Sequence, residues 1–475
     1  MTVQTNEKSA RNSGIHRVVR LIAQALSGEE RDYTTGSLSK AVMLLAIPMV
    51  LEMGMESVFA VVDIFFVSSL GADAVAVVGL TEAVITLIYA VAVGFGMAVT
   101  AVVARRIGEG NTALASVTAG QVLLLGLLMS AAIAAIGLAF SKDILLLMGA
   151  SAEVLEQGKG YIQLMLGGSA TIIYLFIIAA VFRGAGDAII AMRGLWIANG
   201  INIVLDPCFI FGWGPFPELG VTGAAVATNI GRGIGALYML YHLVKGELRI
   251  RVRLPDLRFS PSVSLALLRV SVGGILQFFI ATASWVLLMR VVALFGSEAI
   301  AGFTIAVRIA MFTFLPAWGL SNAAATLVGQ CLGAGNPGRA EKAVWKTAQY
   351  NVSFMLTVSV VMLVFPQALV SIFTDAPQVL AIGGQILQIL ALGYGFFALG
   401  MVMTQAFNGA GDTRTPTWIN LVCFWLIQIP LAYSLALFVD LGAFGVALAV
   451  PAAESLIALL AFWQFRSGRW RRVRV

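Results

Sequence analysis

Charge is scarce in this sequence: only 11% of its 475 residues are Asp, Glu, Lys or Arg, against roughly a quarter in soluble domains. Histidine is scarcer still. His16 and His242 stand alone, and the three cysteines, Cys208, Cys331 and Cys423, lie far apart in apolar or glycine-rich stretches. That excludes a disulfide framework and a zinc site built on spaced Cys and His. With no Ser/His/Asp set and no phosphate-binding loop, a membrane-embedded enzyme or receptor has no footing, and no cofactor is expected. The first 40 residues lack a short apolar core followed by a small-residue cleavage site, so the first span is expected to stay uncleaved.

What fills the sequence is apolar, with 59% hydrophobic residues and a mean hydropathy of +0.93. In hydrocarbon every backbone polar group must pair within its own segment or around a closed barrel. Apolar runs of about 20 residues select helices over the short alternating strands of a barrel. Such runs predict twelve spans, near 41–67, 78–104, 119–140, 161–183, 194–212, 220–244, 264–292, 300–329, 345–366, 379–405, 416–438 and 442–465. The expected domains are an N-terminal segment (1–40), a six-helix first half (41–244), a linker (245–263), a six-helix second half (264–465) and a basic tail (466–475).

Of the 30 Lys and Arg, only Lys142 and Lys159 fall in odd-numbered loops, and Arg232, Arg290 and Arg308 stand well inside predicted spans; the termini, the even-numbered loops and the span ends beside them hold nearly all the rest. Positive charge marks the cytoplasmic side, so both termini are expected there, in an inner (plasma) membrane. The basic linker 248–258 and the basic tail read as topology signals touching anionic membrane lipid, with no nucleic acid as partner. Before the first span, Ile15, Val18, Val19, Ile22 and Leu26 recur at helical spacing, which predicts a helix lying on the membrane surface.

The two halves align at a constant displacement of 225 residues over much of their length. Leu70-Gly-Ala-Asp-Ala-Val-Ala76 matches Phe295-Gly-Ser-Glu-Ala-Ile-Ala301, and Phe182-Arg-Gly-Ala-Gly-Asp187 matches Phe407-Asn-Gly-Ala-Gly-Asp412, a recurring loop that reads as a turn. A repeat of six spans enters the bilayer the same way twice. The fold class is therefore an all-α membrane protein, twelve helices in two parallel six-helix repeats around a central cavity. Rocking one half against the other gives a substrate alternating access.

Departures from the repeat concentrate in acids. Glu52, Glu56 and Asp63 correspond to Gln277, Ala281 and Leu288, while Asn202 and Asp206 correspond to Ile427 and Leu431. Each mid-bilayer carboxylate costs about 2.5 to 3.5 kcal/mol, so such groups face a cavity, a partner or a pathway. Glu52, Glu56 and Asp63 form one helical stripe, and Asn202 and Asp206 share another face. Asp63, Asp206 and Thr228 each stand eight residues from a loop glycine, Gly71, Gly214 and Gly220, so all three are expected at one depth, about 12 Å inside the helix ends. Such an oxygen set suits a hard monovalent cation or shared protons. The same depth count pairs Arg232 with Glu82 or Glu56, and Arg308 with Glu454. Met53, Met55, Gln277, Phe278, Phe279 and Trp285 are candidates for an adaptable cavity lining.

Val62-Asp-Ile-Phe-Phe-Val-Ser-Ser-Leu-Gly71, the Arg-Gly-Ala-Gly-Asp loop, Asn202-Ile-Val-Leu-Asp-Pro207 and Gly220-Val-Thr-Gly-Ala-Ala-Val-Ala-Thr228 together resemble the multidrug and toxic compound extrusion (MATE) family, over residues 35 to 465. The Asn-x-x-x-Asp-Pro pattern is similar to its DNA-damage-inducible branch. The resemblance implies antiport of small amphipathic or cationic organic compounds against protons or sodium. It implies a cation site of Asp63, Asn202, Asp206, the Ala224 carbonyl and Thr228, and a hinge in the first helix at Pro48. Glu52, Glu56 and Arg232 are departures from the commonest members. A lipid-linked precursor flippase of the same superfamily would want a large cationic cavity, which the acidic first half disfavours. The chain is expected to act as a monomer.

Overall fold

A computed structural model describes residues 19–28, 32–246 and 249–473, and every regular element among them is helical. The first half comprises α1 (Leu38–Ser68), α2 (Ala72–Gly108), α3 (Thr112–Leu147), α4 (Ala152–Gly167), α5 (Ser169–Ala185), α6 (Ala188–Phe211) and α7 (Val221–Lys245). The second half comprises α8 (Pro261–Val292), α9 (Ser297–Gly333), α10 (Pro337–Val364), α11 (Pro377–Leu392), α12 (Tyr394–Ala410), α13 (414–438) and α14 (Gly442–Arg466). Among the described residues nine helices, or ten with the α11–α12 pair bent by 53°, are long and apolar enough to cross a membrane. With α1 and α7, both long enough to cross, the helices make twelve spans. Several helices overrun their apolar windows, α3 and α9 by a turn or more, because polar ends continue the backbone ladder beyond the hydrocarbon.

Repeat-related residues do the same structural work twice. Asn111 caps α3 by accepting from the Leu114 amide at 3.0 Å, and Asn336 caps α10 by accepting from Arg339 at 3.0 Å. Gly186 and Gly411 end α5 and α12 in the left-handed region at φ 93° and 85°, where any side chain is strained. The fourth span of each half is broken at the same repeat position, Gly168 and Gly393. At the first break Asn229 fills the gap, its Nδ2 donating to the Leu164 carbonyl at 3.0 Å while Thr171 Oγ1 donates to its Oδ1 at 3.0 Å.

The first helix of each half leans on the other half. A Cβ at Gly319 of α9 would stand 2.4 Å from the Met49 carbonyl oxygen of α1, and one at Gly274 of α8 would stand 2.5 Å from the Gly94 carbonyl of α2. Below Pro48, α1 packs with Leu320, Ala323 and Leu327 of α9 in a common apolar cluster. Nearer the 105–111 and 330–336 turns the halves close tightly. Gly108 lies against the Gln330 carbonyl, Gly333 against that of Arg105, and Gln330 Nε2 donates to the Gly184 carbonyl at 3.0 Å.

Both terminal segments strap this closed end. Arg339 of α10 donates to the carbonyls of Tyr33, Thr35 and Gly36 at 2.6 to 3.1 Å. In the tail, Trp470 is fully buried and stacked on Phe465, Arg471 pairs with Glu341 at 2.7 Å, and Arg105 of α2 reaches the Val473 carbonyl. Residues 19–26 are helical, with Val19 and Ile22 exposed and Ala25 buried. Ile15 and Val18, expected on the same face, lie outside the described residues.

Candidate cation site and central cavity

Glycines set the geometry of the polar site, because α6 and α7 touch backbone to backbone. A Cβ at Gly231 would come within 2.5 Å of the Ala198 carbonyl and 3.1 Å of Asn202 Cβ; one at Gly223 would come within 2.2 Å of the Phe209 carbonyl. Small residues permit such an approach between membrane helices, where van der Waals contact replaces the hydrophobic effect as the driving force. The approach sets Thr228 against the Asn202–Asp206 face. With the amide turned to suit its neighbours, Asn202 Nδ2 donates to Asp206 Oδ2 at 2.8 Å, and its Oδ1 accepts from Thr228 Oγ1 at 2.9 Å and Thr228 N at 3.0 Å. The last contact matters for Ala224, whose carbonyl is the ordinary helical acceptor of that amide. Asp206 is fully buried, and its Oδ1 has no hydrogen-bond partner among the described residues. Asp63 stands half-buried on α1, the helix that packs on α6.

One turn along each helix lies a second polar layer. Arg232, 4% exposed, approaches Glu56 at 3.7 Å, and Asn199 Nδ2 donates to the other Glu56 oxygen at 3.0 Å. The guanidinium lies 5.5 Å from the Phe59 ring centroid and 5.4 Å from that of Tyr89, aromatic faces that help hold a desolvated cation. Of the two acids expected near Arg232, the structure places Glu56 beside it. Arg308 is not placed with Glu454; among the described residues no ion pair joins them, and Arg308 lines an interlobe cavity of about 210 Å³ together with Glu82 of the first half. The depth count gave level but not azimuth, and α9 turns this arginine toward the other half.

Between the halves lies a cavity of about 80 Å³ whose walls include Met53, Phe176, Trp318, Asn322, Gln405 and Arg183. Arg183, the last residue of a predicted span, makes a 2.5 Å ion pair with the buried Glu52. Its repeat counterpart is Asn408, and that of Glu52 is Gln277. These two also meet, Asn408 Nδ2 donating to Gln277 Oε1 at 3.1 Å. An ion pair in one half thus stands where an amide pair stands in the other, a paired replacement that was readable as such. Asn199 left no comparable signal. Of the other lining candidates, Phe278 stacks on Trp318, Phe279 faces a separate crevice between α2 and α8 beside Thr86 and Val286, Trp285 packs on the second-half core, and Met55 is half-buried on α1.

Duplicated six-span halves, an interlobe cavity sealed at one end and a buried polar site in one half are the construction of a secondary membrane transporter. The MatE family model matches the chain twice, over residues 48–208 and 274–434, once in each half. The "Probable multidrug resistance protein NorM" of Thermotoga maritima is 29% identical over 434 residues, 91% of this chain and 93% of that one. An "FAD transporter" of Shewanella oneidensis is 28% identical over 405 residues, 85% and 89% of the two chains. A solved structure described as the outward-facing conformation of a multidrug resistance MATE family transporter of the MOP superfamily matches with TM-score 0.88 at 26% identity, over 94% of this chain and 100% of that one. The chain belongs to the MatE family; it is a multi-pass membrane transporter and not an enzyme.

Proposed function

We propose that this transporter exports small amphipathic or cationic organic compounds across the inner membrane, both termini cytoplasmic, in exchange for protons or sodium ions that enter the first half. The reading rests above all on the bonded Asn202–Asp206–Thr228 set, whose repeat counterparts are the apolar Ile427 and Leu431. Asp63 and Asp206 supply charge, Thr228 and the Ala224 carbonyl neutral oxygens, and Asn202 orients the set. Two close carboxylates repel, and a proton or sodium ion between them removes that repulsion. The entering ion then draws α1, α6 and α7 together. Pro48 leaves α1 a weak point in its backbone ladder at which to respond, and the shift repacks the cavity so that substrate leaves as the ion enters.

For the substrate, the decisive point is Arg183. Among the described residues lining the central cavity it is the one cation, and Glu52 neutralises it. The cavity therefore offers aromatic, thioether and amide surface with no spare positive charge, which favours cationic and neutral amphipaths over an anionic dinucleotide. The relatives named for multidrug resistance point the same way. The test is movement of a cationic dye in inside-out vesicles under a proton gradient alone and a sodium gradient alone, for wild type and Asp63→Asn. Transport that follows one gradient and is lost in the variant is expected; gradient-insensitive transport, or full activity of the variant, overturns the coupling.

A further inference from the structure

A cavity of about 820 Å³, far roomier than the one of about 80 Å³ between the halves, lies on the outer flank of the first half. It is a trough whose back wall is α5, which packs on both α3 and α7; those two helices are its sides and the interlobe linker is its floor. Gly233 and Ala236 hollow the α7 side. Tyr174 of α5 donates to the Leu123 carbonyl at 2.8 Å, so its hydroxyl is satisfied and its ring forms apolar wall. From Gly233 to Val244 the trough runs eleven residues, about 16 Å along the helix axis. That is close to half the hydrocarbon thickness of a bilayer, the reach of one acyl chain in one leaflet.

The trough is apolar and uncovered, with Leu127 55% and Leu237 64% exposed. Leu254 of the linker is 85% exposed, although it sits beyond the end of α7. The same end is strongly basic. Arg251 and Arg253 both line the mouth. Arg251 is positioned by its own Nε, which donates to the Val244 carbonyl at 3.2 Å, and by its backbone N–H on Ser116 Oγ at 3.3 Å. Arg249 and Arg258 flank the pair. Asp256, the acid of this stretch, turns its carboxylate onto the Arg253 backbone amide at 2.8 Å. A chain-length apolar trough ending in arginines is complementary in shape and charge to a lipid with an anionic headgroup, a juxtaposition that neither the ion site nor the substrate cavity explains.

We propose that this trough is a phospholipid site, taking one acyl chain along α7 between Leu127 and Leu237 and the phosphate of an anionic headgroup on Arg251 and Arg253. The ligand comes from the leaflet on the linker side. It holds the linker against the first half, so that the site belongs to the scaffold and not to the transport path.

The full-length protein, purified in a mild detergent, is titrated with phosphatidylglycerol and with phosphatidylcholine of the same acyl chains, bound lipid being read by native mass spectrometry. Tenfold or stronger preference for phosphatidylglycerol is expected in the wild type. Arg251→Gln/Arg253→Gln, both on exposed linker positions, should abolish the preference while leaving phosphatidylcholine binding unchanged. Gly233→Leu, at a position where a Cβ meets only ordinary contact 3.5 Å from Thr171, should fill the trough and weaken both lipids. Equal binding of the two lipids by wild type, a preference that survives the arginine replacements, unchanged binding to Gly233→Leu, or displacement of phosphatidylglycerol by a transported dye would each overturn the proposal.

Discussion

An Asp206→Asn side chain still offers an oxygen to Asn202 Nδ2, so the bonded set and the fold should persist while the charge disappears. Gradient-driven dye transport in vesicles should fall at least about tenfold, with unchanged detergent melting, as expected for a buried acid whose task is charge. Thr228→Ala is milder. It removes one of the two Thr228 bonds to Asn202 and a neutral oxygen, worth about 1 kcal/mol, and should raise the ion concentration for half-maximal transport about fivefold. The Glu52–Arg183 pair gives a sharper test, because the protein contains its own uncharged version in Gln277–Asn408. Arg183→Gln alone strands a buried carboxylate and should destabilise by about 3 to 5 kcal/mol. The double variant Glu52→Gln/Arg183→Asn should recover most of that loss in chemical unfolding, if the two pairs are equivalent scaffolding.

Elements carry the site as much as side chains do, since Thr228 meets Asn202 only because α6 and α7 touch. Gly231→Ala would drive a methyl into the Ala198 carbonyl and should part the helices, with ion-driven transport falling at least about tenfold although every ion-binding side chain remains. Measured dye transport near the wild-type level would show that the close contact is dispensable. At this scale the sequence was informative where the repeat exposed it. The twelve spans followed from hydropathy, and the nearness of Thr228 to Asn202 and Asp206 is what the counting had implied for those three. The breaks at Gly168 and Gly393 did not, because an apolar run looks the same whether or not its axis turns. The wide, π-type turns at Leu421–Gln428 and Ser434–Phe438 in α13 were equally silent. Which way Arg308 or Asn199 points depends on helix rotation inside an interface that local sequence does not encode.

For the molecule as a whole, the tail bridges the halves at the strapped end, where Arg105 of the first half holds the carbonyl of Val473 while Arg471 anchors that tail to Glu341 of the second. Removing both contacts with Arg105→Ala/Arg471→Ala should shift the population toward a state open at that end. Spin labels placed at Ala113 and Gly338, exposed at the starts of α3 and α10, should then report longer distances; an unchanged distance distribution would leave the tail with no part in closure.

The reciprocal lean of α1 on α9 and of α8 on α2 has a consequence for descent. Cut at the linker, neither half would be a finished body, because each lends its first helix to its neighbour and borrows one back. A single-half ancestor with this packing would have been an obligate, arm-exchanged homodimer, two identical chains in parallel. Fusion of the two copies would then let matching positions differ, as Asp206 and Leu431 now do.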